Sequence, residues 1–265
     1  MNVLERKMKF KKKISKFYKE IIFKLKKKIN LDKQILELAS LNELFNYFGT
    51  DKGTEVMNQY QKNPSKTDQK LIGHGYAQFY EKHLNIYKND KINILEIGTW
   101  KGASVAAFYH YFKNAIIFCI DKNFKFQFES NRVNFFNCDT ENFNDIKNLE
   151  KYFIEKKSES FEVIIDDGSH NYTDILNNFQ NFFKRIKPGG FYIIEDFNHY
   201  RLHSSYFNDK PDNAFDISKI FEFLLNKKNF KSEDLDHDFQ NYCFENISNI
   251  TIHKGIKDYS YIAFI

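Results

Sequence analysis

Proline is scarce in these 265 residues, with three in all, and tryptophan occurs once. Phe, Tyr, Lys and Asn are used heavily instead. That bias belongs to the coding genome and carries no functional content. Cysteine is as rare: Cys119, Cys138 and Cys243 stand far apart among apolar or aromatic neighbours, and no CxxC pair occurs. An odd, dispersed trio reads as buried reduced thiols of a cytosolic protein, not as sulfur ligands to a metal. The dinucleotide fingerprint GxGxxG, with its three glycines for seating a pyrophosphate, is also missing. This removes the sequence basis for a nucleotide-binding oxidoreductase. The basic start of the chain is not followed by an uninterrupted apolar run, which excludes a signal peptide, and it is too charged to span a bilayer. The expected location is the cytoplasm, with the inner face of the membrane open to the chain through that basic segment.

What is present describes a folded body with a charged arm. A content of 42% hydrophobic and 18% aromatic residues supports a packed core, and the length suits one large α/β domain. The net charge of +5 hides an asymmetry. Residues 1–28 hold twelve Lys or Arg against two Glu, a net of +10, so the remainder carries −5. A mildly acidic body gives no case for nucleic-acid binding. Within the arm, residues 1–30, Phe10, Ile14, Phe17, Ile21, Leu25 and Ile29 recur at spacings of three and four, a helical stripe with lysines on the other faces. Three readings stay open for it: an anionic membrane surface, a partner enzyme, or packing on its own domain or a second subunit of a homo-oligomer.

A second helical pattern spans about Leu31 to Phe48, followed by the polar loop Gly49-Thr50-Asp51-Lys52-Gly53-Thr54 and a helix around Tyr76–Leu84. From residue 91 onward the texture becomes strand–helix alternation. Strands are predicted at Ile92–Ile97, Ala115–Ile120, Val133–Asn137, Phe161–Ile165 and Phe191–Glu195. Helices are predicted at Gly102–Phe112, Asn142–Lys156 and Tyr172–Ile186. This pattern implies a Rossmann-like, doubly wound, mostly parallel sheet. The runs Ile250–His253 and Tyr259–Ile265 predict an antiparallel hairpin at its edge.

Ligands of such sheets bind at the carboxyl ends of the strands, and here each strand ends on a polar or acidic residue. The first gives Glu96-Ile97-Gly98-Thr99-Trp100-Lys101-Gly102, where Gly98 and Gly102 permit a sharp turn and a close approach to a ligand. One acid two residues before the first glycine suits a cofactor with an ammonium group and no phosphate. Asp121 ends the second strand, where a carboxylate can accept both ribose hydroxyls, and Asp139 follows the third, in reach of an adenine amine. The fourth and fifth strands lead into Asp166-Asp167-Gly168-Ser169-His170 and Glu195-Asp196. Four carboxylates crowded together call for a cation among them. Oxygen ligands suit a hard ion, first of all Mg²⁺. Asp167, Glu195 and Asp196 are the expected ligands, with Asp166 open between a metal, cofactor or structural role. His170 is the expected general base, since a hydroxyl needs help to lose its proton at neutral pH.

ExGxxxG with its strand-end acid resembles the class I methyltransferase motif set. That resemblance implies S-adenosylmethionine along Glu96, Gly98, Gly102, Asp121 and Asp139. The further set Asp51-Lys52-Gly53, His74-Gly75-Tyr76 with Tyr80, Asp166 to His170 and Glu195-Asp196 is similar to the macrolide-sugar O-methyltransferases and the related cephalosporin hydroxylase-like enzymes, over residues 45–200. It implies metal-dependent methyl transfer to a sugar hydroxyl, with His170 as base. It also implies that residues 31–90 form a cap over the cofactor, through Asp51, Lys52, His74 and Tyr76, while 91–265 form the catalytic domain. Thr99-Trp100-Lys101 departs from that family in being bulkier than the small residues common there. A nucleotide-linked or carrier-linked sugar of surface polysaccharide synthesis is the expected acceptor, with a small natural product as the alternative. A glycosyltransferase would leave ExGxxxG accidental, and a non-catalytic binding protein would have no use for an intact His170. The region with His199, His203 and Tyr206 is the expected acceptor lid.

Overall fold

The computed structural model describes residues 14–15, 17–56, 71–203 and 208–265. Phe10 and Tyr206, both singled out in the sequence, lie outside the described residues. The strands are β1 (Ile29–Asn30), β2 (Glu55–Val56), β3 (Leu71–Ile72), β4 (Asn93–Ile97), β5 (Ile116–Asp121), β6 (Phe128–Glu129), β7 (Val133–Asn137), β8 (Phe161–Asp166), β9 (Ile186–Glu195), β10 (Thr251–Lys254) and β11 (Tyr261–Phe264). The helices are α1 (Leu41–Phe48), α2 (Ala77–Leu84), α3 (Ala103–Tyr111), α4 (Phe143–Glu155), α5 (Tyr172–Phe182), α6 (His199–Leu202), α7 (Ile217–Leu225) and α8 (His237–Asn246).

Seven strands form the central sheet in the order β10-β11-β9-β8-β4-β5-β7. The five from β7 to β9 run parallel, and β11 and β10 add antiparallel at one edge, as the late apolar runs predict. From β4 the chain first winds outward through β5 and β7, then returns to the other side of β4 with β8. The reversal opens a crevice at the carboxyl ends of β4 and β8, the place where doubly wound sheets bind ligands.

Both faces of the sheet are buried. Phe45 of α1, Tyr80 of α2 and Phe108 of α3 pack with Ile94 and Ile117 on one face. Phe153 of α4, Phe179 of α5, Phe221 of α7 and Phe239 of α8 pack with Leu95 and Ile164 on the other. Among the described residues, 31–56 and 71–90 therefore belong largely to the first helical layer, and the loops 50–53 and 73–76 reach the strand ends. Those loops are tied together by His74, Gly75 and Tyr76 amides donating to the carbonyls of Asp51, Gly53 and Lys52 at 2.6, 2.9 and 2.8 Å.

Two boundaries differ from the sequence patterning. The helix expected from Leu31 begins only at Leu41, because Ser40 and Glu43 form a capping box. The Ser40 hydroxyl accepts from the Glu43 amide at 3.2 Å, and the Glu43 carboxylate accepts from the Ser40 amide at 2.9 Å. Residues 31–33 form a single 3-10 turn. The strand expected from Phe191 begins at Ile186 instead, and a shift of register against β8 between Phe161 and Val163 absorbs Pro188, Gly189 and Gly190 within it.

The arm is helical over residues 17–25. Its stripe does not pack on the domain. Ile14, Phe17, Ile21, Leu25 and Ile29 are all exposed, and Phe23 is the buried contact, with ring centres 5.2 Å from Phe135 and 5.5 Å from Phe124. β1 pairs in parallel with β6 and fixes where the arm leaves the body. Among the described residues no helix is long and apolar enough to cross a membrane.

Candidate active site at the strand ends

The crevice holds a cavity of about 620 Å³ that runs from Asp139 and Asp121, past Gly98, to His170 and Asp196. That volume suits a small-molecule cofactor with part of an acceptor. Its floor is the turn after β4. Gly98 has φ of +84°, and a Cβ there would stand 2.1 Å from the carbonyl oxygen of Asp167. The amides of Gly98 and Asp167 donate to Ile120 and Ile97, each at 2.9 Å, so the loops after β4, β5 and β8 are stitched together. Gly98→Ala is expected to cost about 3 kcal/mol or more, from strained backbone and backbone overlap together. A thermal melt measures this, and an unchanged melting temperature would show that the loops can part.

At one end of the cavity Asp121 is fixed before any ligand arrives. Its two oxygens accept from the amides of Trp100 at 2.8 Å and Asn123 at 2.6 Å. Burial raises its pKa, and those two amides counter the rise. Trp100 reaches this position only by adopting φ of +50°, and Lys125 Nζ lies 3.6 Å from the centre of its ring. Asp139 lines the cavity beyond Asp121, in the order along the sheet that the sequence predicts.

At the other end a buried lysine organises the acids. Lys52 is 1% exposed, and its ammonium donates to Asp167 at 2.5 Å and Glu195 at 2.8 Å. Burial works against its charge, but Asp167, Glu195 and Glu96 outweigh burial and raise its pKa well above the ordinary value. Burial raises Asp167 to about 6, with Lys52 holding the rise down. The second oxygen of Glu195 accepts from the Tyr80 hydroxyl. Asp196, with φ of +54°, accepts from the Tyr76 hydroxyl through Oδ1. The same oxygen has His74 Nδ1 at 3.3 Å and His199 Nε2 at 3.2 Å. Burial alone would raise the Asp196 pKa, but His74, His199 and His170 take it well below the ordinary range.

His170 stands over this group with φ of +60° and Nε2 3.6 Å from Asp167 Oδ1. Desolvation is the main cause that lowers its pKa to about 4, so the ring is neutral at pH 7 and has a lone pair for a proton. Two groups among the described residues bring one ligand atom each within 4.8 Å of one another: Asp167, His170 and Asp196, and His74, Asp196 and His199. Glu195 is in neither; Lys52 and Tyr80 engage its oxygens.

The structure thus divides the expected residues into two layers. Asp51, His74, Gly98, Asp121, Asp139, Asp167, His170 and Asp196 line the cavity, whereas Lys52, Tyr76, Glu96, Gly102, Asp166 and Glu195 lie behind it. For two of these the cause is the period-two alternation of a strand. Glu96 shares the sheet face of Ile94 and is fully buried in the field of Lys52, so it does not reach the cavity to meet an ammonium group. Burial raises its pKa, and Lys52 with the Ser104 and Thr99 hydroxyls tempers the rise. Asp166 shares the face of Ile164 and accepts from Asn178 and the Gly168 amide, each at 3.2 Å. Burial raises it to about 7, and it does not line the cavity. Gly102, with φ of +88°, lies against the Phe126 ring at the start of α3. Sequence reasoning missed Ser104, Lys257 and Tyr259 as lining residues. Tyr259 arrives from the turn between β10 and β11, its ring centre 4.4 Å from that of His203, a contact that no local pattern reveals.

Residues 95–197 match a family described as a methyltransferase domain. Demethylmacrocin O-methyltransferase of Streptomyces fradiae is 30% identical over 130 residues, covering 46% of this chain and 32% of the relative. Mycinamicin VI 2''-O-methyltransferase of Micromonospora griseorubida is 29% identical over 130 residues, covering 46% and 31%. The chain spans about a third of the length of these relatives. Among solved structures, the MycE methyltransferase of the mycinamycin pathway, in complex with Mg and SAH, superposes with a TM-score of 0.57 at 20% identity, covering 84% of this chain and 54% of that one. That likeness concerns the fold.

Proposed function

We propose that this chain, a class I methyltransferase by fold and by its domain at residues 95–197, transfers the methyl group of S-adenosylmethionine to a sugar hydroxyl with the help of a divalent cation. The observation that carries the reading is the single cavity joining a pre-fixed Asp121 to the neutral His170 above Asp167 and Asp196. Asp121 offers the ribose hydroxyls of the cofactor an oriented carboxylate, and Asp139 lies where an adenine amine would fall. The missing side chain of Gly98 lets the loops after β4 and β8 meet at the centre of the cavity floor. The cofactor supplies an electrophilic methyl group, and positioning is most of what the protein must add.

Asp167 and Asp196 fit a hard divalent ion, Mg²⁺ first among them, and Glu195 would complete an oxygen set only by giving up Lys52. Held by Asp167 and Asp196, such an ion would supply Lewis acidity toward the acceptor hydroxyl. His170 Nε2 takes the proton of that hydroxyl, and Asp167 beside it stabilises the imidazolium that forms. His199, His203 and Tyr259 wall the acceptor side. Lys257, beside Tyr259 on the acceptor side of the cavity, favours an acceptor bearing phosphate, a nucleotide-linked or carrier-linked sugar, over a neutral glycoside. Surface polysaccharide synthesis in the cytoplasm is the setting this chemistry suits. Incubation with S-adenosylmethionine and a panel of nucleotide sugars, with Mg²⁺ or with EDTA, tests the proposal by mass spectrometry. A product heavier by one methylene that disappears with EDTA is expected. A product that survives EDTA would remove the cation from the reaction, and failure to bind S-adenosylmethionine would end the proposal.

A further inference from the structure

The arm helix touches the body through Phe23, and at 3.6 residues per turn that side chain lies about 180° from the centre of an apolar arc formed by Ile14, Phe17, Tyr18, Ile21, Ile22 and Leu25. The arc spans about 140°, and its members are between 38% and 81% exposed. The chain has thus spent one aromatic ring on anchoring the helix and turned six large apolar side chains away from itself. The remaining exposed apolar residues among those described sit on separate elements, such as Ile86, Phe143 and Ile252, and none of those elements offers a comparable face.

Charge identifies what covers the arc. Lys19, Lys24 and Lys26 flank it and are exposed, and the single acid of this helix, Glu20, is held by Lys24 at 2.7 Å. The body beyond the arm has the opposite sign. A helix with an apolar face between lysine flanks seats that face among acyl chains while the ammonium groups stay at the level of acidic headgroups. We propose that the arm is a membrane-surface anchor for an anionic lipid leaflet, docked to the body by Phe23 and by the pairing of β1 with β6. The anchoring is independent of the methyl-transfer reading.

The test is co-sedimentation of the full chain with phosphatidylcholine vesicles, with and without about 30% phosphatidylglycerol. Binding is expected to be about ten-fold tighter to the anionic vesicles and to weaken in high salt. The double variant Ile21→Glu, Leu25→Glu is expected to lose about ten-fold of that binding. Both positions are exposed, so its melting temperature and S-adenosylmethionine affinity should be unchanged. Equal binding to both vesicle types, or none, would overturn the anchor. So would a dimer in gel filtration that the double variant breaks, because the arc would then be covered by a second copy of the chain.

Discussion

Replacing His170 with alanine is expected to lower kcat by about 10²- to 10⁴-fold while leaving S-adenosylhomocysteine affinity within about two-fold of the original. The ring is neutral at pH 7 because burial disfavours its charged form. In that form it can accept a proton from a hydroxyl held above Asp167. Asp121 and Asp139 stand at the far end of the cavity, which is why cofactor affinity should hold. Single-turnover rates with titration calorimetry separate the two effects. An alanine variant with unchanged kcat would show that the proton leaves by another route. A variant that lost cofactor affinity in equal measure would make His170 a binding residue.

The second large effect is on stability. Lys52→Met keeps the volume of the side chain and removes the one ammonium group that Asp167 and Glu195 share. Breaking a buried ion pair by deleting one partner typically costs about 3–5 kcal/mol, since the other partner is left buried and uncompensated. For a chain of this size that is a fall of about 10 °C in melting temperature. Millimolar Mg²⁺ is expected to recover part of the loss in the variant and to raise the original protein less, because Lys52 already neutralises two of the carboxylates there. Equal stabilisation of both proteins by Mg²⁺ would mean that the ion and the lysine serve different carboxylates.

Much of this arrangement was legible in the residues. Val133–Asn137 is a strand over the same five residues that its pattern predicts, and Glu96, Asp121, Asp166 and Glu195 all end, or nearly end, parallel strands in the predicted order. Strand ends are readable because apolar runs stop abruptly there. Side-chain direction at those ends is not, since one residue of register exchanges a sheet face for its opposite. Hence Glu96, expected at the ligand, and Asp166, whose role was open, face the two helical layers and do not line the cavity. Lys52 was legible as a site residue but not as a counter-ion, because Asp167 and Glu195 are separated from it by 115 and 143 positions. The arm misled in a different way. Its periodicity correctly gave a helix and an apolar stripe, but periodicity is silent on whether a stripe faces the protein or the solvent. A single phenylalanine off the stripe decided that question.

Five described non-glycine residues adopt positive φ: Trp100, Lys157, His170, Asp196 and Lys227. The two lysines follow helix ends, where such a turn is routine. The other three surround one cavity. Each holds its side chain at an unfavourable backbone geometry that costs about 1–3 kcal/mol. A campaign of directed evolution for heat tolerance would therefore find easy gains at these three positions, where glycine or asparagine relieves the strain. Every such gain at His170 or Asp196 would erase a group to which the proposed reaction gives a chemical role. Selection for robustness and selection for turnover pull in opposite directions at the same few residues, and laboratory lineages of this protein should part company there first.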